Sequence, residues 1–128
     1  MNTVLVVEPG RTPYVKEIDS GLKSLQTEVG GWIEAIYPFE EEVDLICNEE
    51  GKLSDLPLNR ALRDSDGEIY DIIAGTFLVV GLGEEDFCSL SDEYIKKFSE
   101  RFKRPEKFKE RRGKIIMQRI ESEDCESV

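Results

Sequence analysis

Cys47 and Cys88 are the residues whose type best suits nucleophilic chemistry, and neither has a base to activate it. The 128 residues contain no histidine, so a cysteine–histidine nucleophile is excluded. Cys47 lies inside an apolar run and reads as a small buried hydrophobe. Gly81-Leu82-Gly83 follows an apolar stretch as a phosphate-binding turn would, but Glu84, Glu85 and Asp86 stand where a phosphate must approach. Three carboxylates repel an anion rather than cradle it. Asp64-Ser65-Asp66-Gly67 resembles the centre of a calcium loop. With Gly67 at the sixth position, Leu62 and Ile73 fall at the first and twelfth, where carboxylates are needed. Paired acids such as Glu34 and Asp44 could share acid–base work only in a cleft that raises one pKa. No catalytic residue, metal ligand or cofactor is therefore assigned.

Five residues have the chemistry of recognition instead. Asn48 and Asn59 each occupy a turn-like segment, beside Glu49 and Arg60. An amide side chain donates and accepts in one plane and can read a polar ligand. With Arg60, and with Trp32 or Tyr37 to stack on a base, these residues make a candidate ligand-binding set. The competing reading makes Asn48 an Asx turn and Asn59 a helix-entry cap.

The charge balance narrows the partners. Lys and Arg number 17 against 28 Asp and Glu, a net charge of −11, with 35% of residues charged and 39% hydrophobic. Phosphates repel such a chain, which opposes non-specific binding to nucleic acid or to an anionic membrane. No apolar run approaches the length of a membrane span. The opening MNTVLVVEPG reads as a strand rather than a signal peptide. Three cysteines at unrelated spacings argue for a reducing compartment, hence a cytoplasmic protein. Residues 1–83 hold 16 acidic and 6 basic side chains, net −10, whereas all 11 basic residues of the remainder lie between Lys96 and Arg119. An acidic body carries a basic arm and an acidic tail, and the arm is expected to lie on the body.

The elements that must position these residues follow from periodicity. Val4–Val7, closed by Glu8-Pro9-Gly10, and Tyr14–Ile18 read as an antiparallel hairpin. Leu22, Leu25 and Val29 recur at helical spacing over 20–29, with Asp19 or Ser20 as the cap and Gly30-Gly31 as the stop. Trp32–Phe39 and Val43–Cys47 read as strands, and Asn48–Gly51 as a hairpin-type turn with positive φ at Gly51. Leu58–Leu62, entered through Pro57, is a helical candidate. Ile69–Ile73 and Thr76–Leu82 are apolar enough for buried strands. Tyr94, Ile95, Phe98 and Phe102 then repeat as one face of a helix over 91–104, capped near Ser91 and ended by Pro105. Lys107–Arg112 is a further helical turn.

The fold expected is α+β, one domain with a mainly antiparallel sheet and a helix after the first hairpin, its first half analogous to a β-grasp. Residues 1–88 form the compact part, 89–120 a C-terminal helical arm packed on the domain or on a partner in a homodimer, and 121–128 a disordered acidic tail. Leu5, Val7, Leu22, Leu25, Ile33, Ile46, Ile73, Phe77 and Val79 are the expected core.

VVEPG, GGWIEAIYPF, NEEGKL, LPLNRAL and IIAGTFLVVG, in that order, carry a resemblance. Over roughly residues 3–88 the chain resembles the family known as domain of unknown function 3846, found mainly in phages, plasmids and integrative elements. The resemblance implies a mobile-element context and a small α+β domain, and it transfers no catalytic residue. The expected function is that of a non-enzymatic accessory protein binding a host protein through its acidic surface, with an anti-defence or nucleic-acid-mimicking outcome. The alternative is a protein that sequesters a small polar or nucleotide-derived ligand.

Overall fold

The computed structural model describes residues 1–83, 86–111 and 114–119. β1 (Asn2–Val7) and β2 (Tyr14–Ile18) form an antiparallel hairpin, followed by α1 (Leu22–Val29), β3 (Ile33–Ile36) and β4 (Val43–Asn48). β5 (Leu58–Arg63) and β6 (Ile69–Ala74) make a separate antiparallel pair, after which β7 (Phe77–Leu82) returns to the main sheet. The short β8 (Phe87–Cys88) pairs with β7, α2 spans Asp92–Arg101, and β9 (Glu106–Arg111) pairs with β10 (Lys114–Arg119). The main sheet runs β2-β1-β7-β4-β3, antiparallel throughout, so β7 joins the two hairpins at the centre.

Both faces of this sheet are covered, which explains why its strands read as unbroken apolar runs. Alternate residues point to opposite sides. Val4, Val6, Ile46, Leu78 and Val80 pack under α1, with Leu25 and Val29. Leu5, Val7, Val43, Leu45, Cys47, Phe77 and Val79 face the β5–β6 hairpin and α2, meeting Leu62, Ile73, Phe98 and Phe102. The aromatic face of α2 therefore closes on its own domain. Phe102 sits edge-on to Phe77 with ring centroids 5.2 Å apart, and Phe98 lies 4.6 Å from Phe39. Ser91 caps α2 by accepting the Tyr94 N–H at 3.2 Å, and Lys97 pairs with Glu41 of the acidic body.

Several expectations need correction. Leu58–Arg63 is a strand, not a helix: a bulge between Leu58 and Arg60 turns Asn59 and Arg60 inward together, which a regular strand cannot do. The arm beyond Pro105 is β rather than helical, because Glu106–Arg111 and Lys114–Arg119 pair residue for residue. α1 begins at Leu22 behind Gly21 with no side-chain cap, so Leu22 is 54% exposed and Asp19 and Ser20 do not serve. Ile33 is only partly buried. Gly30 does end α1 in the left-handed region, at φ 80. Gly51 has no positive φ among the described glycines that do; its requirement is space, since a Cβ there would meet the Ala74 carbonyl oxygen at 2.7 Å. The tail assigned to 121–128 lies outside the described residues.

Candidate interaction surface

The five recognition residues separate into two groups. Asn59 and Arg60 are 0% and 1% exposed, and their polar atoms are occupied by the protein itself. Asn59 Nδ2 donates to the carbonyls of Val7 at 2.8 Å and Gly75 at 2.9 Å, and its Oδ1 accepts from Arg60 Nη1 at 2.8 Å. The Arg60 guanidinium donates to the Phe102 carbonyl through Nε (3.1 Å) and Nη2 (2.9 Å), and to the Arg11 carbonyl at 2.6 Å. A cation on the last carbonyls of α2 is favoured by the helix dipole. The pair thus staples the end of β1, the β6–β7 turn, the loop after β1 and the C-terminus of α2. The ligand reading for Asn59 and Arg60 is corrected: burial and internal bonding withdraw them from any ligand.

Asn48 is engaged similarly. Its Nδ2 donates to the Val29 carbonyl at 3.1 Å and its Oδ1 accepts the Glu50 N–H at 2.8 Å. This is an Asx turn that also ties the end of α1 to β4. Asn48 borders a pocket of ≈ 120 Å³ with Cys47, Glu34, Glu49, Lys52 and Asp71. Burial, with help from Glu34, pushes the Cys47 thiol up to about 12, which makes it inert rather than nucleophilic. A larger groove of ≈ 560 Å³ lies outside the β5–β6 hairpin, lined by Leu56, Leu58, Tyr70 and Ile72 among others. None of the five residues reaches it.

Trp32 and Tyr37 are the exposed members, at 69% and 64%. They flank β3, which among the described residues is an outer strand of the sheet that pairs only with β4. Five residues of extended chain separate them by roughly 16 Å, and odd spacing sends them to opposite faces. They cannot stack on one base together. The Glu49 N–H donates to the Trp32 carbonyl at 2.8 Å. Alternation then turns the N–H and C=O groups of Glu34 and Ile36 towards β4 and those of Ile33 and Ala35 outward.

Glu34 and Asp44 do not form a pair. Glu34 is opposite Cys47 on the α2 side, whereas Asp44 is opposite Val80 on the side of Ile46 and α1. Asp44 is 0% exposed; its Oδ1 accepts the Leu45 N–H at 2.9 Å and its Oδ2 has no hydrogen-bond partner. Desolvation pushes its pKa up to about 6, against smaller opposing effects of the Leu45 N–H and of the Tyr37 hydroxyl. Sequence reasoning noticed this carboxylate but not its isolation, since the face of β4 it would occupy was not legible.

The edge hairpin also lies within a stretch of one sign. Residues 24–51 contain eight acidic side chains (Glu28, Glu34, Glu40, Glu41, Glu42, Asp44, Glu49 and Glu50) and neither Lys nor Arg, a net charge of 0 − 8 = −8.

A family profile settles the kinship. The family described as "Domain of unknown function (DUF3846)" matches residues 1–103. The chain belongs to this family. The match ends just past α2, so the DUF3846 unit includes the helix that closes the core and leaves out β9 and β10. Neither a curated protein nor a solved structure matches the chain. Among the described residues no helix is long and apolar enough to cross a membrane.

Proposed function

We propose that this DUF3846 protein is a non-catalytic accessory factor of a bacterial mobile element or phage, acting in the cytoplasm by binding a basic host protein through its acidic body. The observation that carries the reading is the fate of the body's six basic residues. Arg11 is within 3.9 Å of Glu8, Lys16 pairs with Glu28, Lys52 with Asp71 and Arg63 with Glu106, while Arg60 is buried. Among the described contacts only Lys23 stands outside these arrangements, so carboxylates outnumber free cations on the body, with Glu41 further held by Lys97 of α2. Exposed Glu34, Glu40, Glu42, Glu49, Glu50, Asp64, Asp66 and Glu68 make up much of this acidic field. Such a field speeds encounter with a cationic partner and deters phosphates and acidic proteins.

A nucleotide-sequestering role is less well supported, because the amide and guanidinium groups needed to read a base are consumed internally. The test is capture of host protein on immobilised wild type and on a Glu34→Lys, Glu49→Lys, Glu50→Lys variant, at low and high salt. A basic protein retained by wild type at low salt, released at high salt and lost on charge reversal supports the reading. Retention of no partner at low salt overturns it.

A further inference from the structure

The sheet has two outer strands, and they are finished differently. β2 carries Lys16 and Glu17 side by side; Lys16 is held by Glu28, and the Tyr14 hydroxyl donates to Glu8. Mixed, anchored charges blunt an edge against further pairing. β3 has no such protection. Its sequence is Ile33-Glu34-Ala35-Ile36, its outward N–H and C=O groups belong to small or apolar residues, and exposed aromatics stand at both ends.

We propose that β3 is a strand-addition site for a basic, extended peptide segment of a partner protein. The inference rests on the acidic-body reading and deepens it by fixing where the partner sits. Ile33 and Ala35 offer backbone donors and acceptors to an added strand, the mode in which main-chain bonds give affinity and side chains give selectivity. Trp32 on one face and Tyr37 on the other meet alternate side chains of that strand. Aromatic rings of this kind dominate binding energy at interfaces and attract Lys or Arg over their faces. The net −8 of residues 24–51 selects the sign of the partner. It also rules against a second copy of this chain: two β3 edges brought together would bring the exposed Glu34, Glu40, Glu49 and Glu50 of each copy against those of the other, and like charges facing each other across a strand pair are destabilising. Glu41 is held by Lys97, but Glu34, Glu40, Glu49 and Glu50 are exposed around the edge.

The experiment uses the full ¹⁵N-labelled chain and two synthetic peptides of equal positive charge. One alternates Lys with Val and can form a strand; in the other every Val is replaced by Pro. At low salt the Val peptide should shift the amide signals of residues 32–37 and slow exchange of the Ile33 and Ala35 amides. Ala35→Pro removes an outward N–H without touching a β4 hydrogen bond, as edge strands allow, and should weaken binding about tenfold or more. Trp32→Ala, at an exposed position that the fold does not need, should weaken it comparably. If the Pro peptide binds equally well, or Ala35→Pro and Trp32→Ala leave affinity unchanged, the edge site is wrong while the acidic-body reading survives. If neither peptide binds at low salt, both are wrong.

Discussion

Asp44→Asn isolates the one buried side-chain polar atom, Oδ2, that the fold leaves without a hydrogen-bond partner among the described residues. The carboxyl titrates at about 6 in the folded chain against an ordinary value of 3.8. Between those values the native state binds more protons at this site than the unfolded state. Stability therefore falls as pH rises from about 4 to about 6 and is flat above, since ionising Asp44 in a desolvated place is what the rise forces. Roughly two pKa units correspond to about 3 kcal/mol. The asparagine variant stays neutral in both states and has no such slope. It can keep the bond to the Leu45 N–H, while its new amide hydrogens, placed where Oδ2 has no partner, cost about 1–3 kcal/mol if unmet. The absolute gain at pH 7 is thus small, and the slope is the informative quantity. Urea midpoints for both proteins from pH 3.5 to 8 give the difference in unfolding free energy. Subtracting one curve from the other cancels the other 28 − 1 = 27 carboxylates. Wild type should lose about 3 kcal/mol relative to the variant between pH 4 and pH 7. Parallel curves, or a directly measured Asp44 pKa below 4, would refute the claim that Oδ2 of this carboxylate is buried without a partner.

The other predictions concern the staples and the thiols. Arg60→Leu leaves the Phe102 and Arg11 carbonyls and the Asn59 amide oxygen without their donor and should cost about 3–5 kcal/mol in denaturant unfolding, with Arg60→Lys in between. Glu106→Ala strips the acceptor from the Ala61 N–H (2.7 Å) and removes a carboxylate bound to Arg63 (3.2 Å); a loss of about 2–4 kcal/mol is expected. Truncation after Pro105 should cost at least as much, and an unchanged midpoint would show that the distal hairpin is dispensable to the core. At pH 8 a thiol with pKa of about 12 is ionised to only about one part in 10⁴, so peptide mapping should find exposed Cys88 alkylated in the native protein and Cys47 alkylated only on unfolding.

What could be read beforehand was whatever repeats locally. The β-branched apolar run Val4–Val7, the helical spacing of Leu22, Leu25 and Val29, the stop at Gly30 and the aromatic face of Tyr94, Ile95, Phe98 and Phe102 all name their own element type. What could not be read depends on distant chain. Leu58–Leu62 has a pattern that suits a helix or a strand equally. Its strand state is fixed by a bulge that delivers Asn59 to the Val7 carbonyl, 52 residues away, and Arg60 to the Phe102 carbonyl, 42 residues away. These same residues looked like ligand readers, because an amide beside a guanidinium has identical chemistry whether it meets a ligand or a backbone carbonyl. Only burial distinguishes the two. Lys107–Arg112 is too charged to show a period, and the strand form of its described part, Lys107–Arg111, comes from pairing with β10.

The buried polar groups of this protein divide in an uneven way that bears on its function. Asn59, Arg60 and Glu106 are satisfied by partners far along the chain, and each holds separate elements together. Asp44 holds nothing beyond its neighbour's N–H. It belongs to the same hairpin that, among the described residues, has an open strand edge, and that holds five carboxylates and neither Lys nor Arg between residues 33 and 48. Three unfavourable features therefore coincide on β3 and β4: mutual repulsion of carboxylates, unpaired backbone groups at an edge, and a desolvated carboxylate opposite Val80. A segment bearing Lys or Arg laid along β3 relieves the first by opposite charge and the second by main-chain hydrogen bonds. Through its positive potential it also favours the ionised form of Asp44. A second copy of the chain worsens the first and the third. By linkage, a partner that favours ionised Asp44 binds more tightly as pH rises through the window near 6, and Asp44→Asn should flatten that dependence without changing the residues that touch the partner.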